Sequence, residues 1–471
     1  MTLPCRSRSG TIEFNNTRRG KLGVSEAIVG VMMQAFYWDC PSAEGWDGQW
    51  WQFVAAHIPD LARVGFTALW LPPVSKAANI NGPSMGYDPY DYYDIGTFDQ
   101  KGRTATWFGT ETDLRELIRS AHANGLQVYA DFVFNHNSGA DSARVNPIDG
   151  QTRWTEFTPA SGRFPRTWDC FHPSSYETWD GATFGDLPDL CHRNPTVYTE
   201  LLKYARWLLE DVGFDGFRYD MVKGYGAWII RAIQEVRAVR DGNVFKPFGV
   251  GEHWDSDRAI LDWLAEANAW SDNPVAAFDF PLRYVLRDIC DGFGVGLERL
   301  ITDGTIVAQQ PTKAVTFVEN HDVVRNDPVT TDKMLAYAFI LTHEGYPCVF
   351  WHDYVNLGLA EDGKPSGVAA LVRLHEDHAG GDTTVLHVDH DLYVMQRSGM
   401  GSQHGLVLVL NNRGEWNGAT VRTQWADHEL RPHAWRGRDD VGVPNPKRTN
   451  SQGIVDLWAP PRGYAVYVPS A

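Results

Sequence analysis

No stretch of the sequence approaches the roughly 18 consecutive apolar residues that a membrane-spanning helix needs. The six cysteines include no Cys-x-x-Cys pair and no zinc-ligand spacing, and there is no glycine-rich phosphate loop, internal repeat or low-complexity linker. Residues 1–21 carry basic side chains without a following apolar segment, so they do not resemble a secretory signal. We therefore expect no membrane partner, and a cytoplasmic location if Met1 is the native start or a secreted one if a signal has been removed.

Basic residues are also scarce, because 42 Lys and Arg face 59 Asp and Glu and the net charge is -17. A chain this acidic is a poor partner for nucleic acid or an anionic membrane, and we expect a soluble monomer. Aromatic residues make up 13% of the chain, with 19 Trp, and they suit both a core and stacking on sugar faces. Most cysteines are expected to be reduced, although Cys170 and Cys191 lie in one loop-rich stretch and could pair in an oxidising compartment.

Short β-rich apolar runs recur through the first three-quarters of the chain, and helical patterns separate most of them. The runs lie at 29–38, 66–74, 126–136, 214–222, 245–254, 276–282, 314–322 and 346–354. Apolar spacing and flanking Pro or Gly predict helices over 110–125, 195–213 and 226–240. Strands that alternate with helices form parallel βαβ units, and eight of them predict an α/β fold with a (β/α)₈ TIM barrel.

Two regions interrupt this alternation. Residues 137–191 lack helical periodicity and are rich in Gly, Pro, Ser, Asp, Thr and Trp, which indicates an ordered loop-rich lobe inserted after the third strand. From residue 377 onward the pattern changes to short strands and turns, which predicts an antiparallel β-sandwich domain over 377–471. The catalytic barrel would then be built from residues 1–136 and 192–376.

Three carboxylates stand at the ends of three predicted strands: Asp220, Glu252 and Asp322. A single acid in such a place usually caps the next helix, but three together, each beside His, Arg or Lys, point to chemistry at the barrel mouth. Glycosidic bond cleavage uses such a set, because one carboxylate attacks the anomeric carbon while another protonates the leaving oxygen. Two carboxyls about 5–5.5 Å apart give retention of configuration through a covalent intermediate.

Arg218 lies two residues before Asp220, so the two side chains point to the same face of the strand. We expect Arg218 to hold the pKa of Asp220 low, which keeps this carboxylate ionised as a nucleophile. Glu252 stands between the apolar Val250 and Trp254. Burial and the Asp220 charge should therefore raise the pKa of Glu252 and keep it protonated as the acid.

Four segments resemble, in the right order, the four signature regions of the α-amylase family, glycoside hydrolase family 13. They are "DFVFNH" (131–136), "GFRYDMVKG" (216–224), "GEHW" (251–254) and "FVENHD" (317–322). Two more resemble a fifth family region and the loop after the second strand, namely "LPDL" (187–190) and "MGYDPYDYYDIG" (85–96). The similarity covers nearly the whole chain and implies the same barrel, inserted lobe and C-terminal β domain.

The resemblance implies a role for each matching position. Asp220 would be the nucleophile, and Glu252 the general acid/base. Asp322 would be the third carboxylate, which binds the sugar hydroxyls and favours the distorted transition state. The other residues implied to contact the substrate or to orient the nucleophile are Arg218, His136, His321, Tyr87, Lys223 and His253.

The family also binds a structural calcium ion between the barrel and the inserted lobe. The matching positions are Asn135 and Asp189 through their side chains, and Asp186 and Gly224 through their backbone carbonyls. Asp180 is an additional candidate ligand. Calcium takes six to eight hard oxygen ligands, and the acidic "DLPDL" segment has no nearby Lys or Arg.

The activity implied is that of an α-amylase, which hydrolyses internal α-1,4 bonds of starch-like glucans with retention. An exo-acting maltooligosaccharide-forming amylase and a transglycosylase of the same family are alternatives. A non-catalytic carbohydrate-binding homologue would typically have lost one of the three acids, and all three are present. A catalytic metalloenzyme is disfavoured because the chain has no His-rich ligand set.

Overall fold

The computed structural model describes residues 30–43, 45, 47–80, 82–439 and 442–470. Within them, eight parallel strands close into a barrel in which each strand pairs with the next along the chain and the last pairs with the first. They are β1 (Met32–Gln34), β2 (Ala68–Leu71), β3 (Gln127–Phe132), β4 (Gly216–Tyr219), β5 (Phe248–Gly251), β6 (Ala276–Phe278), β7 (Ala314–Phe317) and β8 (Tyr346–Phe350). The predicted (β/α)₈ barrel is confirmed.

The barrel strands are short and almost entirely buried, because helices cover the outer face while side chains fill the interior. The longer helices of the described residues are α1 (Trp50–Val64), α2 (Glu111–Ala123), α3 (Pro195–Trp207), α4 (Ala227–Gln234), α5 (Asp257–Ala267), α6 (Phe280–Asp291), α7 (Met334–Ile340) and α8 (Val368–His378). Shorter helical turns span Cys40–Ala43, Trp168–Cys170, Leu208–Val212, Val222–Gly224, Arg299–Thr302, Ile306–Gln309, Pro311–Lys313, Val323–Asn326 and His352–Asn356.

Local sequence signals set the helix ends. Thr110 caps α2 by accepting a hydrogen bond from the Asp113 backbone, and the Asp113 side chain accepts one in return. Asn194 caps α3, and Pro195 occupies the first turn, where a missing N–H costs nothing. None of the helices in the described part of the chain is long and apolar enough to cross a membrane.

The helix predicted over 226–240 is wrong beyond Gln234. The chain instead forms an antiparallel hairpin of Ala238–Arg240 and Asn243–Phe245. Asp241 and Gly242 form its turn with φ angles of 51° and 76°. Two successive positive φ angles define the turn that Asp-Gly favours between paired strands, and this local signal outweighs the helical spacing before it.

The segment between β3 and α3 is mostly irregular. It contains an antiparallel hairpin, Ser142–Val145 with Thr152–Glu156, and a short 3₁₀ turn. A second small hairpin, Lys76–Ala77 with Pro89–Asp91, extends from the loop after β2. Both lie on the side of the barrel where the strands end, so they border the barrel mouth.

The chain after α8 is antiparallel β structure, as predicted. Its strands are β9 (Thr383–Val388), β10 (Leu392–Arg397), β11 (Leu406–Asn411), β12 (Asn417–Arg422), β13 (Glu429–Arg436), β14 (Lys447–Arg448), β15 (Ile454–Ala459) and β16 (Gly463–Pro469). Six form one sheet in the order β9-β10-β11-β16-β13-β14, and β12 pairs with β15. A separate apolar cluster fills the space between the two sheets.

Candidate active site

The residues predicted to carry catalysis follow directly after barrel strands, at the carboxyl end of the barrel. In the register of β4 and β5, Tyr219 lies beside Gly251, so the next residues, Asp220 and Glu252, emerge together at the carboxyl end of the barrel. Asp322 follows β7 at the same end. The fold therefore brings to one rim three acids that are far apart in sequence.

Arg218 is the centre of this cluster and is only 1% exposed. Its guanidinium donates from one terminal nitrogen to Asp220 Oδ1 at 2.7 Å, and from the other it lies 2.7 Å from Glu252 Oε2. The sequence predicted the contact with Asp220 but not the one with Glu252. One buried cation thus fixes the position of both carboxyl groups.

Burial raises the pKa of Glu252 to about 8. The Arg218 charge opposes this shift, whereas the charges of Asp220 and Asp322 add to it. Burial also raises the pKa of Asp322. A carboxyl group with a pKa near 8 keeps its proton at neutral pH, which is the state a general acid requires.

Asp131 belongs to this cluster, and sequence reasoning missed it. It lies directly beside Arg218 in the register of β3 and β4 and accepts a hydrogen bond from the guanidinium at 2.8 Å. Its other oxygen accepts bonds from the Tyr87 hydroxyl at 2.8 Å and from Trp70 Nε1 at 3.2 Å. The sequence feature that could have revealed it is an acidic residue in the middle of an apolar strand. Asp131 ties the stacking residue Tyr87 to the central guanidinium.

His321 is buried and neutral beside Asp322. Burial lowers its pKa well below the usual value. Gln34 donates from Nε2 to His321 Nδ1 at 2.9 Å, so the ring proton is on Nε2, which lies 3.2 Å from Asp322 Oδ2. Gln34 therefore sets the tautomer with which His321 can donate a hydrogen bond at the rim.

Three rings with nearly parallel planes cluster along one side of the rim, each pair of centroids 5.2–6.0 Å apart. Tyr87 and His321 have ring centroids 5.2 Å apart at 7°, and Trp38 lies parallel to both of them. The Arg325 guanidinium covers Trp38 at 4.4 Å. Trp38, which sequence reasoning missed, ends the apolar run of β1. Such rings offer flat surfaces to the carbon face of a sugar.

The other predicted substrate residues surround this cluster. His136 is 1% exposed, donates from Nε2 to the Tyr87 carbonyl at 2.9 Å, and stacks on Phe184 of the inserted segment at 4.6 Å. Lys223 donates from Nζ to the Trp254 carbonyl at 2.7 Å. His253 is buried beside Glu252, and burial lowers its pKa. Their roles toward a substrate stay predictions.

Three of the predicted metal ligands converge where β3, β4 and the inserted segment meet. Asn135 Oδ1 and Asp189 Oδ1 are buried without a hydrogen-bond partner among the described residues. A Cβ on Gly224 would lie 1.8 Å from Asn135 Oδ1, so only glycine allows this approach. Orphaned buried oxygens are costly unless a cation satisfies them, and this donor set fits calcium.

Two neighbouring acids differ in their position. Asp180 is close to the cluster, since its Oδ1 lies 3.5 Å from His172 Nδ1, the atom that also approaches Asp189. This oxygen is buried and accepts no hydrogen bond within the described residues. Asp186 has an exposed side chain, which leaves only the predicted backbone carbonyl as its ligand atom.

His172 Nδ1 lies 2.9 Å from Asp189 Oδ2. Although burial disfavours the charged imidazole, its partners Asp189, Cys191 and Asp180 raise the pKa of His172 to about 10.

The chain is similar to known proteins in both sequence and structure. A family model described as "Alpha amylase, catalytic domain" matches residues 41–356. The α-amylase of Geobacillus stearothermophilus is 32% identical over 440 residues, which cover 80% of this chain and 76% of that protein. The glucan 1,4-alpha-maltohexaosidase of Bacillus sp. (strain 707) is 31% identical over 428 residues, which cover 79% of each. The crystal structure of an α-amylase from Geobacillus thermoleovorans, complexed with acarbose, has a TM-score of 0.65 at 22% identity and covers 90% of this chain and 93% of that one.

Proposed function

Because this chain belongs to the α-amylase family and is a glycoside hydrolase, we propose that it cleaves internal α-1,4 bonds of starch-like glucans with retention of configuration. The observation that carries the proposal is the single buried guanidinium of Arg218, which contacts both Asp220 and Glu252. A retaining glycosidase needs two carboxyls held close together, one ionised and one protonated. The raised pKa of Glu252 gives these two neighbours different roles.

In the first step, Asp220 attacks the anomeric carbon while Glu252 gives its proton to the leaving glycosidic oxygen. In the second step Glu252, now ionised, removes a proton from water, and the water displaces Asp220 from the sugar. Asp322 and His321 hydrogen-bond the sugar hydroxyls and favour the distorted ring. Tyr87 and Trp38 stack on the ring face.

A time course on soluble starch tests this function. We expect viscosity to fall early, before many reducing ends appear, because internal bonds are cut first. We also expect ¹H NMR to detect the α-anomer before mutarotation, since two displacements restore the starting configuration. A β-anomer as the first product would contradict the double displacement.

The same assay separates the alternatives. The similarity to a maltohexaosidase makes an exo-acting enzyme the second candidate. That enzyme would release one short oligosaccharide early with little loss of viscosity. A transglycosylase would build products longer than a pure maltooligosaccharide supplied as substrate. A non-catalytic homologue would give no new reducing ends.

We further propose that Asn135, Asp180 and Asp189, together with the backbone carbonyls of Asp186 and Gly224, hold a structural Ca²⁺. The buried oxygens described above, which accept no hydrogen bond, support this assignment. Calcium would neutralise the acids and tie β3 and the loop after β4 to the inserted segment. Its contribution is to stability, because no step of the reaction above requires a metal.

Thermal unfolding with and without calcium tests this site. At a Ca²⁺ concentration 100 times the Kd, a ligand that binds only the folded state adds about 2.7 kcal/mol of stability. We expect Asp189→Asn to remove most of the calcium-dependent rise in Tm. Asp186→Asn is the matched control, since only the carbonyl of Asp186 is assigned to the ion. A full calcium response in Asp189→Asn would refute the assignment.

A further inference from the structure

A short antiparallel bridge in the inserted segment brings a histidine, an aspartate and a cysteine side chain together. Phe171 and Leu190 form a bridge, flanked by hydrogen bonds from His172 N to Asp189 O at 2.8 Å and from Cys191 N to Cys170 O at 2.9 Å. Successive residues of a strand alternate faces. His172, Asp189 and Cys191 therefore lie on the same face, opposite the face of Phe171 and Leu190.

His172 belongs to two clusters of candidate metal ligands. One contains Asp180 and Asp189, next to the proposed calcium position, and the other contains Glu177 and Cys191. In each cluster the ligand atoms lie within 4.8 Å of one another. The second cluster offers one nitrogen, one sulfur and one carboxylate oxygen, and the calcium assignment does not use Glu177 or Cys191.

The ring of His172 has the orientation that is typical of a metal-binding histidine. Its Nδ1 faces the Asp189 carboxylate at 2.9 Å, while its buried Nε2 has no oxygen or nitrogen partner within the described residues, and the Cys191 thiol lies next to the ring. Histidines that bind metals usually donate their other ring N–H to a carboxylate, which fixes the tautomer and the ring plane. Nε2 is the nitrogen left to bind a metal ion, which displaces the proton from it.

The loop between His172 and Glu177 is held in shape by its own hydrogen bonds. Ser174 N donates to Glu177 O at 2.9 Å, and Ser174 Oγ donates to Asp169 O at 2.8 Å. Arg193 Nε lies 3.9 Å from the Glu177 carboxylate. This carboxylate is thus positioned by the backbone and is only weakly paired.

The route from solvent is short. His172 and Asp189 border a cavity of about 570 Å³ at the protein surface, and its walls include Trp154, Trp179 and Pro188. The side chain of Glu177 itself is 30% exposed. The cavity reaches His172, and the Glu177 side chain meets solvent, so a cation can approach these two ligands without unfolding of the barrel.

We propose that His172, Glu177 and Cys191 form a second metal site, which binds a divalent cation of the zinc class. Thiolate and imidazole ligands favour Zn²⁺ over Ca²⁺, which prefers oxygen, and three protein ligands leave a fourth position for water. The sequence contains no zinc-ligand spacing, because the loop and the bridge, not a short motif, bring these residues together. The site is independent of the proposed substrate.

Metal content and cobalt absorption test the site. The full chain, kept reduced and in excess Ca²⁺, is dialysed against Zn²⁺ or Co²⁺. We expect about one Zn²⁺ per chain to be retained and the cobalt form to show a thiolate-to-metal band in the near ultraviolet. Cys191→Ser should abolish that band and the zinc. Cys170→Ser, which alters the facing thiol outside the cluster, should keep both.

Two further results keep the test decisive. Glu177→Gln changes a half-buried side chain and should fold, as far-ultraviolet circular dichroism will check. Its Kd for Zn²⁺ should nevertheless be at least about 10-fold higher than that of wild type. Absence of the thiolate band in the wild-type protein, or a band that persists in Cys191→Ser, overturns the proposal. Equal zinc retention by Glu177→Gln and wild type removes Glu177 from the ligand set and overturns the site as stated.

Discussion

Replacing Glu252 with glutamine is expected to lower kcat/KM on starch by about 10²- to 10⁴-fold, the usual contribution of a general acid. The amide cannot protonate the leaving sugar oxygen, while its size and its hydrogen bond from Met221 N are preserved. An aryl maltoside with an acidic phenol as leaving group needs no proton. We therefore expect its glycosylation step to be slowed far less than starch hydrolysis.

The pH profile gives a second readout of the same residue. With the pKa of Glu252 at about 8, kcat/KM on starch should fall as the pH rises through that value, because the acid loses its proton in the free enzyme. In Glu252→Gln the residual hydrolysis of starch should lack this alkaline limb. Glu266→Gln, an exposed carboxyl on α5, is the control. An unchanged alkaline limb in Glu252→Gln would assign the acid to another residue.

Much of the fold could be predicted because local patterns and tertiary structure agree. Each of the eight barrel strands lies inside an apolar run bounded by turn signals, and α2 and α3 begin at cap residues visible in the sequence. The prediction failed beyond Gln234, where a helical pattern runs into a hairpin. There the Asp241-Gly242 turn favours a hairpin, and each of its strands is too short for the spacing of apolar residues to distinguish strand from helix.

The three acids proposed to be catalytic could be placed at the barrel rim from sequence, because each stands at the end of a strand within a recognisable motif. Asp131 was missed although it begins the "DFVFNH" segment, because its partner Arg218 lies on the next strand and only the register of the sheet places them side by side. The pairing of His172 with Cys191 across an isolated bridge depends likewise on a loop conformation that no local pattern encodes. The sequence thus placed the three acids at one rim, whereas the contacts that support them required the fold.

Replacing Asp220 with asparagine is expected to abolish turnover of starch and of the aryl maltoside alike, by roughly 10⁴-fold or more, as when other covalent nucleophiles are removed. An easier leaving group cannot help when no carboxylate can form the covalent intermediate, and this separates Asp220 from Glu252. The amide oxygen still accepts from Arg218, so folding and oligosaccharide binding measured by calorimetry should persist. Asp262→Asn on α5 serves as the exposed control.

Chemical rescue makes the assignment of Asp220 stereochemically specific. In Asp220→Gly, azide can enter the space of the missing carboxylate and attack the aryl maltoside from the face that Asp220 occupied. One displacement inverts configuration, so the expected product is the β-glycosyl azide, whereas azide rescue of Glu252→Ala should give the α-glycosyl azide after two displacements. If Asp220→Gly yielded the α-azide, another group would be forming the covalent bond, and the roles of the two acids would have to be reassigned.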